Sequence, residues 1–440
     1  MSDRSTTVAI TAVVGVVALA VGWLVPQYPA VALAGAAGVL AVGVSAVRPV
    51  TIPLLALPLL YVSVRANFGA TDVSVSDVAL ALGAASAVAF TRNRLSATMR
   101  NLLWLVAIYQ VATLFTVVAN PYAANTIEWV HAGVLVAGAL FLGWTVGREG
   151  QGPLGLRLML LAALVIATWT IIVGVGQVLR GDLQPVYLPH GMHKNFIGTV
   201  LGTSALIAYV RPEWLRMRPA VATVVFWWLV LGIGFAQSRQ AIVALAVSLI
   251  VLVLRTRTDR RRSRVILLAI VPALVVVLTL VREQVASGNV HNSFFARLTW
   301  FEDALTIWQT QPLTGVGLRW WYTDRFPGGV QPPNAELEVL TASGVLGLAG
   351  FLVLMVGSVV LLWRVEPRYG MLAVLVVLAR FTQGQMDIFW VAAQTSIPFV
   401  IAGICLGVAA REGDAQRTDA ALADTIGPVA APDVVEGARA

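Results

Sequence analysis

The stretch RLMLLAALVIATWTIIVGVGQVL, residues 157–179, carries a single charge, Arg157, at its first position. A helix needs about 20 apolar residues to cross the ~30 Å hydrocarbon core of a bilayer, and this stretch supplies them. Similar runs recur at 8–25, 30–47, 50–64, 77–91, 101–118, 126–146, 195–210, 219–236, 240–254, 265–281, 336–362, 370–387 and 389–410. The 440-residue chain is 58% hydrophobic and only 12% charged, whereas a soluble domain carries about a quarter charged residues. The expected fold class is therefore all-α: a polytopic transmembrane helical bundle of about 12–14 spans. The alternation of an outer-membrane barrel is absent.

Composition also removes several chemistries. Cys405 is the lone cysteine and lies in an apolar segment, so neither a disulfide framework nor a cysteine metal site is expected. The four histidines (His131, His190, His193 and His291) show no metal-ligand spacing. No metal and no other cofactor is expected.

Charge distribution sets the orientation. All but one of the 30 basic residues are arginine, Lys194 being the exception. With the N-terminus placed inside, twenty-one basic residues fall on inward segments and eight on outward ones, the asymmetry expected of cytoplasmic loops. Both termini then lie in the cytoplasm of a multi-pass protein of the cell (cytoplasmic) membrane. The run RTRTDRRRSR (255–264) reads as a topology anchor, and no nucleic-acid partner is implied.

These boundaries divide the chain into N-terminal spans (1–190), spans carrying Arg239 (191–281), a large extracytoplasmic loop (282–335), C-terminal spans (336–410) and a disordered cytoplasmic tail (411–440). A long ordered loop commonly carries function. Within it, Phe294, Leu298, Phe301, Leu305 and Trp308 recur at helical spacing, an amphipathic face suited to the membrane surface. Arg297 falls on the edge of that face, and Asp303 opposite it.

Other charges stand where lipid would make them costly. Arg239 lies between two spans with almost no loop, and such a residue is a functional candidate by default. His190, His193, Lys194 and Asn195 open another span on the same side. Arg380, Gln383, Gln385 and Asp387 interrupt an apolar hairpin, where an internal Arg380–Asp387 network is expected. Arginines gathered on the outer side suit an anionic substrate presented at the outer leaflet, since guanidinium forks match phosphate oxygens.

Four segments taken in order, HKNFIG (193–198), SRQAIVAL (238–245), RLTWFEDALTIWQTQPLTGVGL (297–318) and NAELEVLTASGVLGLAG (334–350), resemble the O-antigen ligase/polymerase family of bacterial membrane glycosyltransferases. The resemblance covers roughly residues 190–360. It implies a polyprenyl-diphosphate-linked glycan as donor and a glycan or lipid as acceptor. Transfer to the acceptor hydroxyl would be metal-independent and take place at the extracytoplasmic face, as a ligase or a polymerase. By the same resemblance Arg239 and Arg297 bind the diphosphate. His193, Asn195, His291, Arg319 and Asn334 are the expected substrate-binding groups. Where the family usually has histidine before the asparagine, this chain has Pro333, and Glu336, His291 and His193 are open candidates for the vacant role, Glu336 being taken as the catalytic one. Glu336 would need burial among Trp320, Trp321 and Phe326 to act as a base.

The same stretch has a structural reading. Asn334 can cap the helix that follows the Pro332–Pro333 pair, and Glu336 then favours its N-terminal dipole. Gly344, Gly347 and Gly350 would form a small-residue packing face. Two other functions stay open: a flippase or transporter of lipid-linked saccharides, and a non-catalytic homologue.

Overall fold

A computed structural model describes residues 43–68, 71–91, 93–182, 184–255, 293–323, 325–326 and 328–426, with isolated positions 15, 16, 19, 38, 40 and 282. The expected spans at 8–25 and 265–281, most of 30–47, the arginine run after Arg255, and His291 lie outside the described residues.

The described chain is a bundle of helices. After α1 (Thr51–Leu59) and a hairpin of β1 (Arg65–Phe68) and β2 (Thr71–Ser74) come α2 (Val75–Phe90), α3 (Ala97–Ala119), α4 (Ala123–Arg148) and α5 (Gly152–Leu179). Then follow α6 (Lys194–Val210), α7 (Pro219–Ala236), α8 (Arg239–Arg255), α9 (Ser293–Trp308), α10 (Ala335–Trp363), α11 (Pro367–Gly384) and α12 (Ala392–Ile426). Among the described residues six helices (α3, α4, α5, α7, α10 and α12) are long and apolar enough to cross a membrane.

Local chemistry explains the ends. Ser74 and Asp77 form a capping box at the start of α2, each side chain bonded to the other's backbone N–H. Prolines open α5, α7 and α11, where the missing N–H has no intrahelical partner to lose. Asn334 caps α10 by accepting from Leu337 N–H at 3.0 Å, as the sequence implies.

Three expectations are corrected. The run 50–64 is no span: α1 has nine residues, about 14 Å of helix, and the chain turns at once into the polar β1–β2 hairpin. The tail after 410 is not disordered throughout, because α12 continues to Ile426. Its alanine-rich sequence favours helix, and Asp414 pairs with Arg148 and Arg417. Gly344 is not part of a packing face with Gly347 and Gly350. It has φ +65° and breaks α10, whereas a Cβ on Gly350 would sit 2.7 Å from Ala112 of α3. Helix α9 buries Ala304 and Ile307 against the bundle and leaves Leu298 and Leu305, two residues of the apolar stripe read from the sequence, exposed.

The break in α10 is completed by the preceding loop. Val316 N–H reaches Thr341 O at 3.1 Å, Gly317 N–H reaches Ala342 O at 2.9 Å, and Val345 N–H reaches Pro312 O at 2.9 Å. Backbone polar groups freed by a kink must find partners in an apolar setting, and the PLTGVG loop supplies them. A second close contact joins α4 and α12. A Cβ on Gly143 would lie 2.0 Å from Val400 O, one on Gly147 2.2 Å from Ile404 O, and one on Gly403 2.4 Å from Leu140 O. Glycine permits this approach.

Candidate functional site

Between α11 and α12 the chain is irregular, from Gln385 to Val391. Two buried charges hold it. Glu338 of α10, 2% exposed, accepts from Phe389 N–H at 2.6 Å and Trp390 N–H at 3.3 Å. Gln331 donates to it as well, at 2.8 Å. Arg380 of α11, fully buried, donates to Ile388 O at 2.9 Å and to Phe389 O, and reaches Gln394 Oε1 at 3.4 Å. Its guanidinium lies over the Phe389 ring. The expected Arg380–Asp387 network is therefore indirect: Arg380 bonds the backbone beyond Asp387, while Asp387 accepts from Gln240 Nε2 at 2.9 Å.

Asp387, so placed, faces a group of cations. Lys194 at the start of α6 interacts electrostatically with Arg239, Arg297 and Asp387. Arg297 on α9 interacts with Asp387 and Arg239. Three helices far apart in sequence thus bring three positive groups and one carboxylate to one end of the bundle. Arg239 and Arg297 are each partly buried, which strengthens their fields relative to water.

A cavity of about 430 Å³ adjoins this group. Its wall includes Arg65, Asp77, Glu128, His131, His193, Arg319, Gln331 and Glu338, with Tyr109, Trp321, Tyr322 and Trp390 as aromatic surface. The charges pair in a chain: Arg319 to Glu128 at 2.6 Å, Glu128 to His131 at 3.4 Å, and His131 to Asp77 at 3.0 Å. The π-helical segment Val134–Gly138 follows His131 within α4, and such bulges are frequent at functional sites.

His193 belongs to both parts, lining the cavity and sensing Asp387, Arg65 and Lys194. One side of it stays exposed, yet its imidazole pKa is lowered from 6.5. Desolvation lowers it most. Arg65 and Lys194 lower it further, and Asp387 opposes them. The ring is therefore neutral near pH 7. Its Nδ1 accepts a long bond from Phe196 N–H, 3.4 Å, which caps α6. That bond assigns the proton to Nε2 and makes the free nitrogen a donor.

The other expected residues are placed as follows. Arg319 lines the cavity. Asn334 caps α10 and donates to Gln385 O at 3.3 Å. The Asn195 carbonyl accepts from Gln240 at 3.5 Å. Glu336 is not among Trp320, Trp321 and Phe326, which pack on one another. It accepts from Gln385 Nε2 at 2.8 Å and is not one of the cavity wall residues. Glu338, two residues on, is one, because a step of two turns a helical side chain by about 200°. Sequence reading passed over Glu338, and it also passed over the cavity residues from the N-terminal half (Arg65, Asp77, Glu128 and His131).

Residues 224–355 match the family model described as O-antigen ligase. The matched stretch, 132 of the chain's 440 residues, falls within the 190–360 region whose motifs resemble that family. No curated protein matches the chain.

Proposed function

From that likeness as premise, we propose that the chain transfers a glycan from a polyprenyl-diphosphate donor to an acceptor hydroxyl, at the outer face of the cytoplasmic membrane. The observation that carries this reading is the meeting of Lys194, Arg239 and Arg297 beside a cavity of about 430 Å³. The diphosphate sits on the three cations, displacing the interaction of Lys194 and Arg297 with Asp387. The sugar to be transferred lies toward the cavity mouth, and His193 Nε2–H donates to one of its oxygens. As the glycosidic bond breaks, charge builds on the departing diphosphate, and fixed cations in a water-poor site stabilise it more than they stabilise the bound donor. The acceptor sugar occupies the cavity, with its hydroxyls on the carboxylates and its apolar face on the aromatic side chains.

In this reading Glu338 takes the acceptor proton, because it lines the cavity and Glu336 does not. Its three hydrogen bonds leave room for one more, since a carboxylate offers about four lone-pair sites.

The test is reconstitution of the full chain in vesicles with a polyprenyl-diphosphate glycan. One assay follows whether product lengthens or appears on a new acceptor. Arg239→Ala and Arg297→Ala should abolish transfer while the protein stays folded, and lysine at either position should rescue poorly, because a point charge does not reproduce a planar fork. Near-normal transfer by both alanine variants overturns the reading. Glu338→Gln should lower transfer by roughly 10²-fold or more, the scale of general-base catalysis, and Glu336→Gln should leave it unchanged.

A further inference from the structure

The other end of α4 carries a second cavity, of about 590 Å³. Glu128 lines the first cavity and Gly147 the second. Along one helix these positions are about 28 Å apart, close to the thickness of a hydrocarbon core. The two cavities therefore open toward opposite surfaces of the bilayer.

Four arginines from different parts of the chain line the second cavity: Arg157 on α5, Arg216 in the α6–α7 turn, Arg368 on α11 and Arg411 on α12. Two glutamates face them. Arg368 engages both, Glu213 at 3.6 Å and Glu412 at 3.5 Å. Among the described residues Arg157, Arg216 and Arg411 make no ion pair. Arg157 instead donates to Leu215 O at 2.9 Å, which holds the turn carrying Trp214 against the cavity. Trp214 also lines the wall. It is 5% exposed, and its indole N–H is buried without a partner among the described residues. A buried donor left unmade is costly. Membrane topology asks for arginines near one surface, but it does not ask for four of them around one cavity.

We propose that this cavity binds a phosphate-bearing anion, with the guanidinium groups of Arg157, Arg216 and Arg411 as its donors and the Trp214 ring as part of its wall. Guanidinium forks match phosphate oxygens in geometry, and a basic recess between helices at a membrane surface suits an anionic lipid headgroup. This proposal does not depend on the glycosyltransferase reading. A headgroup and a free phosphate ion share the chemistry, and the experiment separates them.

Purified full-length chain in a neutral detergent is titrated with phosphatidylglycerol, with phosphatidylcholine and with inorganic phosphate, and thermal unfolding is followed. Phosphatidylglycerol should raise the apparent Tm to a plateau, and phosphatidylcholine should not. In R157Q/R216Q/R411Q the concentration needed should rise about a hundredfold, at roughly a factor of five per arginine near a membrane surface. A control of equal charge outside the cavity, R48Q/R94Q/R100Q, should keep the wild-type response. R216Q and R411Q singly should each raise the concentration needed about fivefold, which decides the question if the triple variant does not fold. A plateau with inorganic phosphate and none with the lipid identifies the free ion as the occupant. No plateau with either, or equal loss in both triple variants, overturns the proposal.

Discussion

Glu338 and Arg380 grip opposite edges of the same strip of backbone. The carboxylate takes the N–H groups of Phe389 and Trp390, and the guanidinium takes the carbonyls of Ile388 and Phe389. Irregular backbone at membrane depth survives only where protein satisfies it, and this pair does so while presenting Asp387 to the cations.

Among the described residues Glu338 and Arg380 form no salt bridge with each other, and each is held by the loop's backbone. Replacing both by apolar residues of similar size should therefore not be neutral, because the loop's own amides and carbonyls would lose their partners. Glu338→Leu should cost about 2–6 kcal/mol by leaving two amides without an acceptor, at roughly 1–3 kcal/mol for each buried group left unmade. The double variant Glu338→Leu/Arg380→Met should be no more stable than the worse single one. Glu338→Gln keeps an acceptor oxygen and should cost only about 1–3 kcal/mol. Apparent Tm values in detergent check this order, and full recovery in the double variant would show that the pair does not hold the loop.

Gly344 supplies a second contrast. Its φ of +65° breaks α10, and a Cβ there would lie 2.3 Å from Leu313 O. Gly344→Ala therefore adds both backbone strain and a clash with a backbone that cannot move aside, for an expected loss of about 2 kcal/mol or more. Gly234, inside α7, has open space where a Cβ would go. Gly234→Ala should be neutral or stabilising by up to about 1 kcal/mol. Equal effects at both positions would place the kink's importance elsewhere.

These contrasts mark what the sequence could and could not say. Long apolar runs such as 157–179 reveal spans because the bilayer sets their length and composition. Arg239, Arg297 and Lys194 stand out because charge near lipid is costly. The helix cap at Asn334 is legible from its own few residues. The first cavity is not, because its wall joins Asp77, Glu128 and His131 to Arg319 and Glu338 across some 200 residues of chain, and no local pattern encodes that meeting. Which of Glu336 and Glu338 lines the cavity is not legible for a local reason: the N-cap places both in the first turn, and only packing decides which one turns inward. The four-residue spacing of Gly143 and Gly147, matched by Gly403 and Gly407, was a signal present in the sequence and not taken up.

That glycine contact should matter for activity as well as for folding. Cβ positions on Gly143 and Gly403 would fall 2.0 Å and 2.4 Å from carbonyl oxygens of the facing helix, so valine at either must push α4 and α12 apart. Helix α4 also carries Glu128 and His131 into the first cavity. Gly143→Val and Gly403→Val should each lower apparent Tm by about 1–2 °C or more, the scale in a 440-residue chain of a loss of about 1–2 kcal/mol or more, and should reduce transfer in parallel. A variant that keeps its Tm and its transfer would rule out the close crossing.

His193 offers a pH dependence with two opposite signs. Its folded pKa lies below the ordinary 6.5 because of desolvation, with Arg65 and Lys194 adding to it. The unfolded chain therefore binds this proton more readily than the folded one. The contribution to stability is fully present above the unfolded pKa and is lost as pH falls through the folded value. Protonation also removes the Nδ1 lone pair that caps α6 at Phe196. Apparent Tm of the wild type should fall from pH 7 to pH 5. In His193→Asn, which can cap but cannot titrate, the slope should be shallower. Donor binding should move the other way, since a protonated His193 adds a cation beside Lys194 and the arginines, so the KM for a diphosphate-linked donor should fall over the same interval in the wild type and stay level in the variant. Parallel slopes of Tm and of KM in the two proteins would remove His193 from both the cap and the donor site.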